Sequence, residues 1–206
     1  MYSFAVSIII LTCIISFLSF NNYRLRDALI FSPPAVSIHR QYWRFLTCGF
    51  IHADMMHLGF NMLTLYFFGK ALENYYMGIL GLQHYYFLLL YLSAIIIANV
   101  PSYFKHREDY NYASLGASGG VVAVQFAFIL IDPWSKILLF GGIPMPSIVF
   151  VILFLAYTIY MNRRGGDNVN HDAHLWGAVY GVVFTICARH EVVSMFLDQI
   201  KHPRWS

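Results

Sequence analysis

Charge is scarce in this chain. Only 11% of its 206 residues are Asp, Glu, Lys or Arg, while 59% are hydrophobic; a soluble domain usually carries about 25% charged residues. That deficit, with a positive mean hydropathy, excludes an ordinary soluble domain and places the chain among membrane proteins. Cysteine is sparse as well. Cys13, Cys48 and Cys187 are odd in number and lack CxxC spacing, so neither a disulfide framework nor a zinc site is expected from them. No Lys/Arg-rich run exists and the net charge is only +3, which gives no footing for nucleic acid. There is no internal repeat and no low-complexity segment.

What is abundant is long charge-free stretches. A membrane span needs roughly 20 apolar residues, and that ruler predicts an all-α membrane protein of six spans, near 2–20, 55–75, 82–104, 113–131, 146–162 and 172–189. The first stretch has no basic segment ahead of it and is longer than a signal-peptide core, so it is read as a retained span. The connection 21–54 contains Pro33-Pro34 and several charges. It is too broken to span and apolar enough to sit partly in the interface. The tail 190–206 alternates apolar and charged residues like a surface helix. The whole, 1–206, is expected to form a single domain.

Three of the predicted spans carry polar residues at their heads. The fourth contains Leu115-Gly116-Ala117-Ser118-Gly119-Gly120. A serine between glycines near a helix start is accessible and close to free backbone N–H groups, which can hold a developing oxyanion. Small residues there equally suit plain helix packing. The sixth span opens with Asp172-Ala173-His174, followed by Gly177 and Gly181. His174, Gly177 and Gly181 stand at i, i+3 and i+7 on one face, and GxxxG lets another helix come close. If that helix is span four, His174 is delivered to Ser118; the plain alternative is an interfacial histidine beside Asp172. The second span carries His57 and Asn61 at i and i+4. Polar groups in an apolar run mark function or an interhelical hydrogen bond; as a functional pair they would donate to an oxyanion. His52, His57, His171 and His174 are potential metal ligands, yet no HExxH occurs and no carboxylate sits between either pair at ligand spacing, so no metal site is expected.

In order along the chain, these blocks resemble the rhomboid family of intramembrane serine proteases. Tyr42-Trp43-Arg44-Phe45 resembles its WR loop; His52 with His57-Leu58-Gly59-Phe60-Asn61 resembles HxxxxHxxxN; Gly69-Lys70-Ala71-Leu72-Glu73 resembles GxxxE. Gly116-Ala117-Ser118-Gly119 resembles the nucleophile motif, and Ala173-His174 through Gly177 to Gly181 resembles AHxxGxxxG. The resemblance implies a six-helix rhomboid-like bundle and an endopeptidase that uses a serine–histidine dyad. Ser118 would be the nucleophile and His174 the base. The oxyanion hole would be His57, Asn61 and the Ser118 N–H. Trp43 and Arg44 would lie in a membrane-associated loop, Glu73 in a structural network, and His52 would brace a loop. Gly116, Gly119, Gly177 and Gly181 would allow close approach.

No cofactor is implied. The partners implied are single-span membrane-protein substrates with small residues at the cut, together with the lipid bilayer. The location implied is an integral, multi-pass one, expected in a bacterial inner (plasma) membrane. The positive-inside rule would put loop 21–54 in the cytoplasm, opposite to the side the resemblance implies. One position departs. Many members carry a tyrosine four residues after the serine, against the histidine; here it is Val122. That departure admits a catalytically inactive rhomboid-like protein that binds membrane clients. A small transporter lined by His57, Asn61 and His174 would call for broken helices in two matching halves, and the sequence has none.

Overall fold

The computed structural model of the chain describes residues 2–139, 142–166 and 169–203; the tail's last residues, 204–206, lie outside the described residues. Helix α1 (Phe4–Phe20) is capped by the Ser3 side chain, which accepts from the Val6 N–H. Its inward face is Ala5, Ile8, Thr12, Ser16 and Ser19, while Ile10, Leu11, Ile14, Phe17 and Leu18 point outward. Small and hydroxylated residues inside with large aliphatics outside is the arrangement of a helix packed in lipid, where close packing and hydrogen bonds replace hydrophobic burial.

The connection 21–54 folds into short pieces: α2 (Tyr23–Leu29), α3 (Pro33–His39), α4 (Arg44–Thr47) and a 3₁₀ turn, Cys48–Phe50. Pro33 and Pro34 open α3, where a missing N–H costs nothing, and Arg40 ends it in the left-handed region at φ 56°. Arg44 is buried and donates to the carbonyls of Asp27 and Ile30 and to the Gln41 amide oxygen. Its guanidinium thereby stitches three turns of the loop together. Trp43 is exposed, and its indole N–H reaches the Ala28 carbonyl at 3.4 Å.

Next come α5 (Met55–Thr64), one π turn (Leu65–Gly69) and α6 (Lys70–Gly78), which run on as one helix. Asp54 caps α5 by accepting from the His57 N–H at 2.8 Å. Helix α7 (Tyr85–Lys105) has 21 residues, about 31 Å of rise and enough to cross a bilayer. Helix α8 (Ser118–Ile131) has 14, only about 21 Å. Here the expected span of 113–131 needs correction: residues 113–117 are not helical. Gly116 has φ +117°, and Ser114 pairs with Phe31 as an antiparallel bridge. The glycine therefore breaks the helix that the apolar run suggested, and Ser118 becomes its first residue.

The all-α expectation also needs amending. Two short antiparallel strands, β1 (Lys136–Leu139) and β2 (Ile143–Pro146), precede α9 (Ser147–Arg164). Pro144 and Pro146 cannot supply helical N–H groups, and a two-stranded hairpin has only edge strands, where proline is tolerated. Helix α10 (His171–Ala188) is capped by Asn170, which accepts from the Ala173 N–H at 3.0 Å. After a 113° bend comes α11 (Glu191–Lys201). Among the described residues α7 and α9 are long and apolar enough to cross a membrane, with α10 and α11 a bent third; α1 and α8 are apolar but shorter.

Helix α8 is the axis of the fold. Every residue from Gly119 to Ile131 is buried, packed by α7, α10, the π turn, α6 and α11. Its far end is closed by α11: the Gln199 amide donates to the Ile131 carbonyl at 2.8 Å, and the Trp134 indole N–H donates to the Gln199 carbonyl at 2.7 Å.

Candidate active site

Ser118 stands half-buried at the head of α8. The first helical bond runs from the Val121 N–H to the Ala117 carbonyl at 3.0 Å, so the N–H groups of Ser118, Gly119 and Gly120 fall ahead of the helical ladder. The two N–H groups just before them are taken. Gly116 donates to the Cys48 carbonyl at 2.9 Å, and Ala117 to His52 Nε2 at 3.3 Å. Because Nε2 accepts, Nδ1 carries the proton, and it donates to Ser16 Oγ at 2.9 Å. Ser16 in turn donates to the Phe50 carbonyl at 3.0 Å. This chain fixes one tautomer and ties the turn before Ser118 to α1. His52 is 1% exposed. Burial, and secondly the nearby His57, push its pKa down to about 3, so it stays neutral at working pH. It has no opening to a reacting group.

His57 lies over the glycine turn. A β-carbon at Gly116 would stand 2.6 Å from His57 Cε1 and 2.8 Å from Nε2. Glycine at 116 is therefore required twice, for its backbone angle and for the imidazole resting on it. The His57 ring also meets the His52 ring edge-on at 5.0 Å between centroids. Asn61, one turn on, is buried and gives one amide hydrogen to the His57 carbonyl at 2.9 Å; an amide has a second.

The seam between α8 and α10 is backbone against backbone. A β-carbon at Gly177 would overlap the Gly119 carbonyl oxygen, and one at Gly181 would overlap that of Ala123. On the α7 side, a β-carbon at Gly119 would come within 2.7 Å of Ala98 Cβ. Three glycines thus let three helices approach more closely than side chains permit, and they set the heads of α8 and α10 side by side. His174 sits on the first turn of α10, half-buried.

A cleft of about 530 Å³ opens among α5, α8, α9 and α10, and Ser118, His174, His57 and Asn61 all line it. Val122 lines it too, 4% exposed. Two rings neighbour His174: His171 of the same helix, edge-on at 5.9 Å between centroids, and Phe154 of α9, at 5.8 Å and tilted 35°. The sequence reading missed Phe154. The available signal was Phe150 and Phe154, at i and i+4 on α9, which stack on each other at 6.1 Å and both line the cleft. Glu73 lies elsewhere. It is 3% exposed and accepts from the Ser3 hydroxyl, the Phe4 N–H at 2.6 Å and the Ala5 N–H at 3.3 Å, and pairs with His84 at 3.0 Å. It fastens α6 to the head of α1. Among the described residues no cluster of three His, Cys, Asp or Glu is arranged to hold a metal.

Fold and site together describe a helical membrane protein with a hydroxyl, two imidazoles and an amide around one cleft between its helices. The chain belongs to the rhomboid family: the family model described as "Rhomboid domain" matches residues 39–191. It is similar to RHOMBOID-like protein 12, mitochondrial, of Arabidopsis thaliana, 29% identical over 149 residues that make 67% of this chain and 44% of the relative. It is similar to Rhomboid-like protein 11, chloroplastic, of the same plant, 34% identical over 154 residues, 69% of this chain and 51% of the relative. A third relative is the rhomboid protease GluP of Bacillus subtilis (strain 168), 28% identical over 141 residues, 68% of this chain and 25% of the relative. The chain thus spans about half or less of the length of these relatives. Members of this family are integral membrane proteins, and its proteases act on transmembrane substrates in the bilayer. The relatives belong to mitochondria and chloroplasts as well as bacteria, so the kinship supports an integral membrane location and gives no support to a bacterial inner membrane in particular.

Proposed function

We propose that the chain is an intramembrane serine endopeptidase, a single rhomboid domain of six spans formed by α1, the continuous α5–α6, α7, α8, α9 and α10. The observation that carries this reading is the shared cleft. Ser118 and His174 begin two helices whose glycines touch backbone to backbone, and both open onto the same cavity. A nucleophile needs a base within reach and donors facing the reacting oxygen.

In this mechanism a substrate span unwinds locally, since helical peptide bonds are shielded by their own turns. Ser118 Oγ attacks the scissile carbonyl carbon, and His174 takes the hydroxyl proton. The carbonyl oxygen, now negative, is held by the Ser118 N–H, His57 and the free amide hydrogen of Asn61. When the C–N bond breaks, His174 gives the proton to the departing amine. Water then enters the cleft, loses a proton to His174, and attacks the acyl carbon; the proton returns to Ser118 Oγ as the new carboxyl end leaves. Losing one oxyanion donor typically costs about 10²–10³ in turnover. The shortness of α8 serves this chemistry, because it lowers the serine below the ends of the longer helices to a depth that the cleft supplies with water. Substrates are single-span membrane proteins, and the reaction needs no cofactor.

The test is cleavage of a single-span reporter in proteoliposomes. Wild type cleaves it, and Ser118→Ala and His174→Ala each lose at least about 10³-fold. A fluorophosphonate labels wild type and not Ser118→Ala. Wild type that neither cleaves nor labels would replace this reading with the client-binding one that Val122 admits.

A further inference from the structure

The outward face of α1 is not uniform. A groove of about 600 Å³ runs along it and ends against Lys70, the first residue of α6. Its length is apolar, lined by Val6, Ile10, Leu11 and Ile14, of which the last three are about half exposed. Its other end is polar, lined by Tyr2, Ser3 and Lys70. Ser3, Ser7, Ile10 and Ile14 stand at i, i+4, i+7 and i+11, which is one helix face. From Ser3 to Ile14 the helix rises about 16.5 Å, close to half of a hydrocarbon core of about 30 Å. The groove therefore matches the depth of one leaflet. Tyr2 and, beside Lys70, Tyr66 are exposed, and such amphipathic rings mark the headgroup level.

Lys70 supplies the charge at that level. Among the described residues its ammonium pairs with no carboxylate and lies instead against Tyr66, 3.4 Å from the hydroxyl and 4.7 Å from the ring centre. Glu73, one turn on, is already engaged by Ser3, Phe4, Ala5 and His84. At the opposite end of the bundle Lys105 is paired, with Asp172 at 2.9 Å. An ammonium has three donors, so two remain on Lys70 after Tyr66. A smaller recess of about 110 Å³ adjoins the groove; it shares Tyr2, Ser3 and Lys70 and adds Asn74 and His84. A long apolar channel thus leads to a small polar recess with a cation at the junction.

We propose that groove and recess together bind one anionic phospholipid of the surrounding bilayer. One acyl chain lies along Val6, Ile10 and Ile14, the phosphate diester accepts from the Lys70 ammonium, and a small hydroxylated headgroup meets Asn74. The proposal stands on membership of an integral membrane family and is independent of the protease reading. The groove is continuous with the large aliphatics that α1 turns to lipid, so acyl chains cover it whatever their headgroup. The lysine adds selection, because a cation at the membrane surface attracts anionic lipid. A choline lipid would bring a second positive charge to a place where the free charge is already positive. Glu73 does not oppose the phosphate, since its oxygens are covered by the groups just named.

The experiment titrates the delipidated full chain, in an uncharged detergent, with dioleoyl phosphatidylglycerol or dioleoyl phosphatidylcholine and counts bound lipid by native mass spectrometry. Wild type is expected to saturate at one phosphatidylglycerol per chain and to prefer it about fivefold or more over phosphatidylcholine. Lys70→Gln should bring that preference to about one, and Lys70→Arg should keep it. Lys201→Gln removes an exposed lysine outside the groove and should change nothing. Ile10→Trp fills the groove and should weaken both lipids alike. Glycerophosphoglycerol, which has the headgroup without acyl chains, should not bind at the same concentrations. Unfolding midpoints identify the folded variants, and Lys70→Met serves if the glutamine variant does not fold. A wild-type preference below about twofold, binding that does not saturate, or a preference that survives loss of the Lys70 charge overturns the site. So does an equal loss in Lys201→Gln, or a chainless headgroup that binds as tightly as the lipid. Cleavage is not read, so failure here leaves the protease reading where it stood.

Discussion

Helix α8 has two unlike faces. Toward α10 and α7 it offers glycine and alanine, and the neighbouring helices come to backbone distance at Gly119, Ala123, Gly177 and Gly181. Toward α5 and α9 it offers Ser118, Val122 and Gln125, and the neighbours stand back to leave the cleft. The contrast extends to the partners. Helix α10 buries a glycine stripe, whereas α9 buries only Ser147, Val151 and Thr158 and turns Ile152, Leu153, Tyr157 and Tyr160 outward. The closed face can therefore hold the Ser118 hydroxyl and the His174 imidazole in a fixed register, because interiors packed this tightly do not yield gradually. The open face leaves a cleft of about 530 Å³, which in the proposed reaction would admit a peptide without disturbing that register.

The most forceful way to break the comparison is to fill the closed face. Gly177→Val or Gly181→Val drives a branched side chain into a carbonyl of α8, and overpacking of that kind costs about 1–3 kcal/mol or more. Reporter cleavage should fall at least about 100-fold and the thermal unfolding midpoint in detergent should drop, with insertion intact. Normal activity in both variants would mean that the α8–α10 seam does not set the site.

A smaller effect is expected at His52, which braces the closed side from above. Its folded-state pKa of about 3 lies below the unfolded value of about 6.5. Above pH 6.5 both states are neutral and the bracing is complete. As pH falls from 6.5 toward 3 only the unfolded chain takes up the proton, so stability declines. His52→Leu should abolish that part of the pH slope in unfolding midpoints, and should lower stability at pH 7.5 by about 1–3 kcal/mol because the Ala117 N–H loses its acceptor. An unchanged slope would show that another group governs acid sensitivity.

The mildest change is on the open face. Phe154→Leu keeps apolar volume beside His174 and removes the ring, so kcat should fall only a few-fold with the unfolding midpoint within about 2 °C; aromatic pairs contribute about 0.5–1.5 kcal/mol beyond area burial. A loss as large as that of Gly177→Val would erase the distinction between the faces.

Much of the closed face was legible in the sequence, since small residues at i, i+3 and i+4 report helix approach directly. Helices α1, α7, α9 and α10 run Phe4–Phe20, Tyr85–Lys105, Ser147–Arg164 and His171–Ala188, against expected spans of 2–20, 82–104, 146–162 and 172–189. Hydropathy failed where backbone conformation decided. Residues 113–117 are apolar enough to extend a span, but the positive φ of Gly116 stops it. The hairpin at 136–146 was hidden because a helical period cannot be told from a short strand in so uniformly apolar a stretch. The open face was half visible. Ser118, His57, Asn61 and His174 stood out as polar residues near span ends, and motif order joined them. Gln125 and Phe154 did not stand out, because a glutamine within a span and a phenylalanine on a lipid-rich helix acquire meaning only when the neighbouring helix is placed.

The hydrogen bonds of His52, Glu73 and Gln199 have a further consequence. Ser16 and Ser3 on α1 lie before the stretch 39–191 that matches the family, and Gln199 on α11 lies after it, yet each completes a helix or loop inside it. The hydrogen-bonded helices thus extend past the stretch recognisable by kinship on both sides: the two flanks frame it, and the serine-bearing helix is held at its near end by one and at its far end by the other.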